Sequence, residues 1–172
     1  MTNFSLQEVK RNILSSENIV FFGGAGVSTA SNIPDFRSEG GLYQRITANR
    51  YSAEEMLSHD FLVDHADLFY LNLRKNLVFP DAQPNPAHRA LVKLEQLGKL
   101  KAVITQNIDG LHQKAGSRNV IELHGSMAHF YCMNCYKQFP QDDVLKFESV
   151  PYCDRCNGII RPDVVLYQES LD

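Results

Sequence analysis

The chain has 172 residues, 44% of them hydrophobic and 22% charged, and its formal net charge is −3. This composition is typical of a globular protein with one sizeable core, or with one domain and a small insert, and it argues against two equal domains. The mild negative charge gives no general reason to expect nucleic acid or a membrane as a partner. Neither a long apolar run nor a secretory signal is found, so we predict no membrane span and a cytoplasmic location.

The first predicted elements are a helix and a strand that ends at a glycine-rich turn. Residues 5–16 carry apolar side chains at helical spacing, and Ser5 with Glu8 can form a capping box, so we expect a helix packed against a sheet. Ile19–Phe22 is predicted to be a strand buried on both faces, followed by Gly23, Gly24 and Gly26 and the first turn of a helix over Val27–Ala30. Backbone N–H groups and a helix start at one point suit a phosphate or pyrophosphate, although a simple turn is the alternative.

The next segment, Ser31–Tyr43, is too polar and too often interrupted by Pro and Gly for regular structure. We predict a loop that places Asp35, Phe36 and Arg37 beside the glycine turn, with two glycines as candidate hinges. The alternative is a surface loop whose Phe36 packs into the core.

The rest of the chain alternates helices with short apolar strands. Helices are predicted over Ser52–His59, Asp60–Asn76 and Pro86–Leu97, and strands over Ala102–Thr105, Val120–Leu123 and Val164–Tyr167. This alternation predicts an α/β fold with a Rossmann-like parallel sheet and helices on both faces. A small zinc-binding lobe is a separate expectation, from four cysteines near the end of the chain. The predicted domains are 1–128 with 157–172, including a helical insert at about 40–98, and the zinc lobe at 129–156.

Polar residues follow two of these strands. Gln106, Asn107, Ile108 and Asp109 follow the second strand, and His124 follows the third. Ligands of open parallel sheets bind beyond the carboxyl ends of the strands, so these residues and the glycine turn should converge on one crevice. Amides and a carboxylate can hold ribose hydroxyls, and a histidine can accept a proton. His124 alone would more often be structural, which is the role that we predict for His88 and His112.

The four cysteines form two CxxC knuckles, Cys132 with Cys135 and Cys153 with Cys156, separated by 17 residues. This spacing is typical of a tetrahedral zinc site with four cysteine ligands, and four sulfur ligands leave no open position for catalysis. We therefore predict a structural Zn²⁺, without which this lobe does not fold. No clear basic stripe flanks the knuckles, so nucleic acid is not the expected partner.

Together these motifs resemble the sirtuins, which are NAD-dependent protein lysine deacylases. The resemblance rests on Gly24–Ser28, Ile33–Ser38, Gln106–His112, His124–Ser126 and the paired knuckles, in the family's order along the whole chain. Asn32 stands where glycine is usual, and asparagine also tolerates left-handed geometry.

The resemblance implies NAD as cofactor and an acetyl-lysine protein or peptide as substrate. Residues implied to bind NAD are Gly24, Ala25, Gly26, Thr29, Phe36, Arg37, Gln106, Asn107, Ile108, Asp109 and His124. The acyl oxygen would attack the ribose carbon that bears nicotinamide, with His124 as the catalytic general base. Nicotinamide, free lysine and O-acetyl-ADP-ribose would be released.

The resemblance also bears on acyl choice and leaves alternatives open. Sirtuins that remove succinyl or malonyl groups share a Tyr-x-x-Arg pair, but here Tyr70 is followed three positions later by Leu73, and Arg74 lies one position further. This register favours acetyl.

The chain ends at Asp172, where a sirtuin would continue through further strands, so the Rossmann half is expected to be incomplete. For the same reason, Val164–Leu166 is expected to lie near an exposed edge suited to self-association. The alternatives are an NAD hydrolase or ADP-ribosyltransferase, and a truncated, non-catalytic NAD-binding module.

Overall fold

The computed structural model describes residues 5–46 and 50–171. The helices are α1 (Leu6–Ser15), a 3-10 helix (Ala25–Ser31), α2 (Leu42–Ile46), α3 (Ala53–Met56), α4 (His59–Asp64), α5 (Ala66–Asn76), α6 (Pro86–Gln96), α7 (Leu111–Ala115) and α8 (Gln141–Val144). The strands are β1 (Ile19–Gly23), β2 (Leu100–Thr105), β3 (Val120–Glu122), β4 (Gly125–Cys132), β5 (Gln138–Pro140) and β6 (Ile160–Val164).

The first three strands form a parallel sheet in the order β1-β2-β3. One face, which includes Phe21 and Val103, packs against a small core with Leu91 of α6. The opposite face carries Val20 and Phe22, which are 56% and 62% exposed. The prediction that β1 is buried on both faces is therefore wrong. Half-buried and exposed side chains alternate along the strand, so only one of its faces is covered.

The second sheet is antiparallel, with the order β5-β4-β6. Here the structure contradicts the predicted strand Val164–Tyr167, since the strand spans Ile160–Val164 and pairs with β4 instead of joining the parallel sheet. The two knuckles explain this difference: they return the chain so that Ile160 lies opposite Cys132. Val164 does lie on an edge strand, but that edge belongs to the antiparallel sheet.

Three helical predictions also change. The α1 capping box of Ser5 and Glu8 is present, but no residue of α1 is buried, so the expected packing on the sheet is not observed. The predicted helix Asp60–Asn76 is divided at His65, which is not helical and separates α4 from α5. The predicted helix Ser52–His59 is shorter, since α3 spans only Ala53–Met56 and Ser58 caps the next helix. The Pro86 helix, by contrast, agrees with the prediction, running from its Asn85 cap to Gln96.

The larger core joins the helical insert to the antiparallel sheet. Its fully buried side chains include Leu62, Phe69 and Leu73 of the insert and Phe130 and Ile160 of the sheet. The predicted lobe boundary at 128/129 falls inside β4, which runs from Gly125 to Cys132, so the division into domains stays a prediction. In the described ranges, no helix is long and apolar enough to cross a membrane.

Candidate functional site

A cavity of about 640 Å³ opens at the carboxyl ends of the parallel strands, between the 3-10 helix, the loop before α2, the helical insert and the segment after β6. The residues implied to bind NAD that line it are Ala25, Phe36, Arg37, Gln106, Asn107, Ile108, Asp109 and His124. The structure thus brings together residues from four separate stretches of sequence, as expected for the open edge of a parallel sheet.

The glycine turn forms one wall of this cavity. Gly24 precedes the 3-10 helix, and a Cβ at this position would lie 3.0 Å from the side-chain oxygen of Gln106, so glycine leaves room for that amide. The helix ends at Asn32, whose φ of 63° is the left-handed geometry that asparagine tolerates. Thr29 does not line this cavity; it borders a smaller one of about 370 Å³ behind the loop. Gly24 and Gly26 are also not among the lining residues.

A hydrogen-bond network connects the 3-10 helix to the end of β2. The hydroxyl of Ser28 donates to Oδ2 of Asp109 at 2.6 Å, and Nδ2 of Asn107 donates to the same hydroxyl at 3.1 Å. The other oxygen of Asp109 accepts from the backbone N–H of Leu111 at 2.9 Å, at the start of α7. Ser28 is completely buried and lines the cavity, yet it is absent from the predicted site residues. Its position at the end of the Gly-Ala-Gly-Val-Ser stretch, next to residues predicted to bind NAD, could have identified it as a site residue.

Asp35 organises the loop that carries Phe36 and Arg37. Its Oδ1 accepts from the backbone N–H groups of Arg37 at 3.1 Å and Ser38 at 2.8 Å. The hydroxyl of Ser38 donates to Oδ2, and these bonds to Ser38, against a small opposing effect of burial, lower the pKa of Asp35. The carboxylate is therefore engaged in shaping the loop.

His124 is oriented by the backbone of a neighbouring strand end. Its Nδ1 lies 2.9 Å from the carbonyl oxygen of Gln106. Because a carbonyl can only accept, Nδ1 carries the proton and Nε2 is the unprotonated nitrogen in the neutral ring. Gly125 follows with a φ of 73°, and a Cβ there would overlap the carbonyl oxygen of Asp163, so β6 can approach His124 closely only with glycine at this position.

Two further histidines, for which we predict a structural role, are buried. The rings of His88 and His112 are 4.7 Å apart, and both side chains are almost completely inaccessible. Nδ1 of His88 accepts from the backbone N–H of Asn85 at 3.3 Å. Nδ2 of Asn85 donates to the Val27 carbonyl and the Ser31 hydroxyl. His88 is therefore connected to the 3-10 helix through Asn85.

The sequence predictions missed one wall of the cavity, the segment Val165–Glu169, which we call the strap. The backbone N–H of Val165 donates to the His124 carbonyl at 3.0 Å, and that of Tyr167 donates to the Leu57 carbonyl at 3.0 Å. All five strap residues line the cavity. The sequence conceals the strap because the apolar residues 164–167 are typical of a buried strand.

The four cysteines lie together as a candidate metal centre. Sγ of Cys132 is 3.4 Å from that of Cys156, Sγ of Cys135 is 3.7 Å from that of Cys153, and all four sulfurs lie within 4.8 Å of one another. Tetrahedral Zn–S bonds of about 2.3 Å require sulfurs about 3.8 Å apart, so the geometry fits Zn²⁺. The second residue after the first cysteine of each knuckle, Asn134 or Arg155, donates a backbone N–H to that cysteine's sulfur, which favours the thiolate.

Tyr70 and Arg74 lie away from the cavity. The hydroxyl of Tyr70 is buried and donates to the Ile160 carbonyl, and the guanidinium of Arg74 donates to the Ser149 carbonyl. Neither residue lines the cavity, so this pair does not present a cation and a phenol to an acyl group.

Comparison with known proteins adds a family to this geometry. The Sir2 family model matches residues 24–172. An NAD-dependent protein deacetylase of Clostridium acetobutylicum is 56% identical over 168 residues, covering 97% of this chain and 69% of that protein. One of Clostridium tetani is 58% identical over 167 residues, covering 96% of this chain and 68% of that protein.

Solved structures agree with this result. A Sir2 structure with a deacetylated p53 peptide and 3'-O-acetyl-ADP-ribose superposes with a TM-score of 0.88 at 41% identity, over 98% of this chain and 68% of that one. A Sir2 complex with a p53 peptide and NAD+ gives a TM-score of 0.83 at 41% identity, over 98% of this chain and 67% of that one.

Proposed function

This chain belongs to the Sir2 family, and from its site we propose that it removes acetyl groups from protein lysine by consuming NAD, releasing nicotinamide and O-acetyl-ADP-ribose. The observation that carries the proposal is the convergence on one cavity of the glycine turn, the polar end of β2 and a histidine with a fixed tautomer. Relatives that share over 50% of the aligned residues bear the name of this activity. Solved relatives hold a p53 peptide with NAD+ or with an acetylated ADP-ribose product.

Each group on the cavity wall has a role in this proposal. Ala25 lines the cavity, and together with Gly24, Gly26 and Thr29, which belong to the same turn but do not line the cavity, it would hold the pyrophosphate, because N–H groups at the start of the 3-10 helix attract negative charge. Gln106, Asn107, Ile108 and Asp109 hold ribose and nicotinamide. NAD supplies an electrophilic ribose carbon when bound. Phe36 and Arg37 line the same cavity and would exclude water from it when NAD is bound, which would protect the electrophile from hydrolysis.

His124 is the proposed general base. The hydrogen bond from Nδ1 to the Gln106 carbonyl leaves Nε2 free to accept a proton from a ribose hydroxyl. It also stabilises the ring after protonation, since Nδ1–H continues to donate to the same carbonyl. The activated hydroxyl then takes part in transfer of the acetyl group to ADP-ribose.

The acyl group is proposed to be acetyl. Charged acyl chains need a cation and hydrogen-bond donors to offset their desolvation. Tyr70 and Arg74 supply neither to the cavity, because both are bonded to backbone carbonyls elsewhere. A succinylated peptide is therefore expected to be a poor substrate.

The test is mass spectrometry of an acetyl-lysine peptide incubated with NAD and the zinc-loaded chain. We expect deacetylated peptide and O-acetyl-ADP-ribose in equal amounts, and a loss of about 10²- to 10⁴-fold in rate for His124→Ala. His129→Ala is the matched control, since His129 is exposed on β4 and does not line the cavity. A succinyl-lysine peptide in parallel tests the acyl preference.

The outcomes separate the competing functions. Nicotinamide release that does not depend on acetyl-lysine would replace the proposal by NAD hydrolysis or ADP-ribosyl transfer. Intact NAD and intact peptide after long incubation, despite measurable NAD binding, would leave a non-catalytic module.

We also propose a cytoplasmic location. It is supported by the four cysteines, which are arranged as ligands of a metal and are not paired in disulfides, because a reducing compartment preserves such ligands.

A further inference from the structure

The strap is held at its two ends by a buried ion pair. Arg161 on β6 is only 4% exposed, and its guanidinium donates to both carboxylate oxygens of Glu169, with the Nη2–Oε2 distance being 2.8 Å. Nη2 also donates to the Val164 carbonyl at 2.8 Å, and the guanidinium lies 5.5 Å from the centre of the Tyr131 ring. One cation thus bonds to the residue before the strap and to its last residue.

Glu169 completes the arrangement from the strap side. Its Oε2 accepts from the backbone N–H of Leu166 at 2.8 Å, in addition to the bond from Arg161. Burial opposes ionisation of this carboxyl, but the bonds from Arg161 and from the Leu166 N–H outweigh it and lower the pKa of Glu169. The carboxylate is therefore charged at neutral pH, and it fixes the strap's backbone directly.

Between these ends, the strap crosses the cavity from the catalytic histidine to the helical insert. Val165 donates to the His124 carbonyl, while Tyr167 donates to the Leu57 carbonyl and accepts from the His59 N–H at 3.1 Å. Gln168 has a φ of 78° and exchanges two hydrogen bonds with Asp60, at 3.1 and 3.0 Å. A shift of the strap would therefore displace both the wall of the cavity and the backbone of His124.

The chemical character of the strap indicates which substrate it contacts. The residues proposed to bind NAD come from the glycine turn, the loop before α2 and the strand ends, whereas the strap and Leu57 add separate, largely apolar residues to the same cavity. The space on the strap side is bordered by apolar Val165, Leu166 and Leu57, which suits the aliphatic stem of a lysine side chain.

We propose that Arg161 and Glu169 are a positioning pair that fixes the strap as the acyl-lysine wall of the cavity and so sets the affinity for the acylated peptide. Arg161 acts through the backbone of Val164, and Glu169 acts through the backbone of Leu166. This inference rests on the proposed function for the identity of the substrate. A pair that served only the stability of β6 would not act selectively on the peptide.

The experiment compares steady-state kinetics and amide hydrogen exchange in the zinc-loaded chain and its variants. For Glu169→Gln, we expect the KM for an acetyl-lysine peptide to rise about tenfold while kcat and the KM for NAD change by less than about twofold. Glu169→Asp, which keeps the charge, should recover most of the peptide affinity. The amides of Val165 and Tyr167 should exchange faster in Glu169→Gln, because their acceptors no longer face a fixed strap.

Two additional variants keep the test decisive. Arg161→Met combined with Glu169→Gln removes the pair without leaving a buried charge, so it should fold and still show the raised peptide KM. Asp143→Asn is the matched control: it removes an exposed ion pair with Lys146, whose N–O distance is 2.7 Å, and should change neither KM nor strap exchange.

The possible results separate this inference from the proposed function. A peptide KM equal to that of the unmodified chain in both pair variants would overturn the positioning role, as would equal changes in both KM values. If the unmodified chain showed no turnover, the proposed function would fail. In that case, unchanged exchange of the Val165 and Tyr167 amides in Glu169→Gln would also exclude the role of the pair in fixing the strap. Faster exchange in this variant would still support that role.

Discussion

At the scale of single residues, buried polar groups support the site. Ser28, Asn107 and Asp109 satisfy one another inside the protein, and Asn85 extends support to the 3-10 helix. The sequence could predict Asn107 and Asp109, since they follow a strand, and a structural role for His88 and His112, since they fall within helical patterns. It could not predict that the two rings touch or that Asn85 reaches the 3-10 helix, because these contacts depend on how α6 and α7 pack together.

The histidine pair predicts a pH-dependent stability. Burial lowers the pKa of both His88 and His112, and each is influenced by the carboxylate of Asp109, which acts in the opposite direction; the Arg89 guanidinium lowers the pKa of His88 further, and His88 lowers that of His112. The unfolded chain binds protons near pH 6.5 while the folded chain does not, so the stabilisation is complete above that pH and decreases as the pH falls below it. The free energy of unfolding should fall by up to about 1.4 kcal/mol per pH unit for each histidine.

Urea unfolding between pH 7.5 and 5.5, with zinc in excess, measures this slope. His112→Asn should flatten it relative to the unmodified chain, whereas exposed His129→Ala should leave it unchanged. An identical slope in the His112 variant would contradict the prediction.

At the scale of elements, two segments adopt structures that pattern alone did not give. The turn after β1 continues as a 3-10 helix over Ala25–Ser31 rather than as the first turn of an α-helix, and Ala25 and Ser28 of this helix line the cavity. The strap contains apolar residues typical of a strand but forms one wall of the cavity instead. Its course is decided by the Arg161–Glu169 pair and by Gln168, which no periodicity could reveal.

Helix α2 and the strap are connected by the hydroxyls of Tyr43 and Tyr167, which form a hydrogen bond. Burial, and then the Tyr43 hydroxyl, raise the pKa of Tyr167 to about 12, so the Tyr167 phenol is protonated near neutral pH. The Tyr43 ring also meets the edge of Phe36 with centroids 5.7 Å apart. Tyr167→Phe should therefore loosen the loop that we propose to cover NAD. It should weaken NAD binding by about 2- to 10-fold, which corresponds to the contribution of one neutral hydrogen bond.

Calorimetric titration with NAD tests this prediction. Tyr136→Phe is the matched control, because Tyr136 is 71% exposed and does not line the cavity. Equal dissociation constants for Tyr167→Phe and the unmodified chain would show that the hydroxyl contact does not hold the loop.

At the scale of the whole molecule, the sequence predicted the class of the fold, and the structure corrected its connections. Spaced apolar runs identified the three parallel strands, and the knuckle spacing predicted the cysteine cluster that the structure contains. The partner of β6 could not be predicted, because strand pairing depends on where the knuckles return the chain. Strand β6 directly connects the zinc lobe and the strap: it pairs with β4 beside Cys132 at its start, and the strap follows its last residue.

This continuity predicts that removing zinc affects the site as well as the lobe. A chelator, or Cys156→Ser, should unfold residues near the knuckles, release β6 from β4 and increase hydrogen exchange at Val165. Metal analysis should find one zinc per folded chain. Lys137→Ala, which breaks an exposed ion pair with Asp154 but keeps all four sulfurs, should retain the metal and the protection of Val165. Protection of Val165 in a metal-free chain would contradict this coupling.

The parallel pairing of β1 and β2 also has a consequence for synthesis. Ile19 lies opposite Leu100, so β1 leaves the ribosome about eighty residues before the strand that it bonds to. At about 5–20 residues per second, the apolar run Ile19–Phe22 waits for roughly 4–16 s without its partner. During that interval it is an available segment for chaperones, and slow translation of the helical insert would lengthen the exposure.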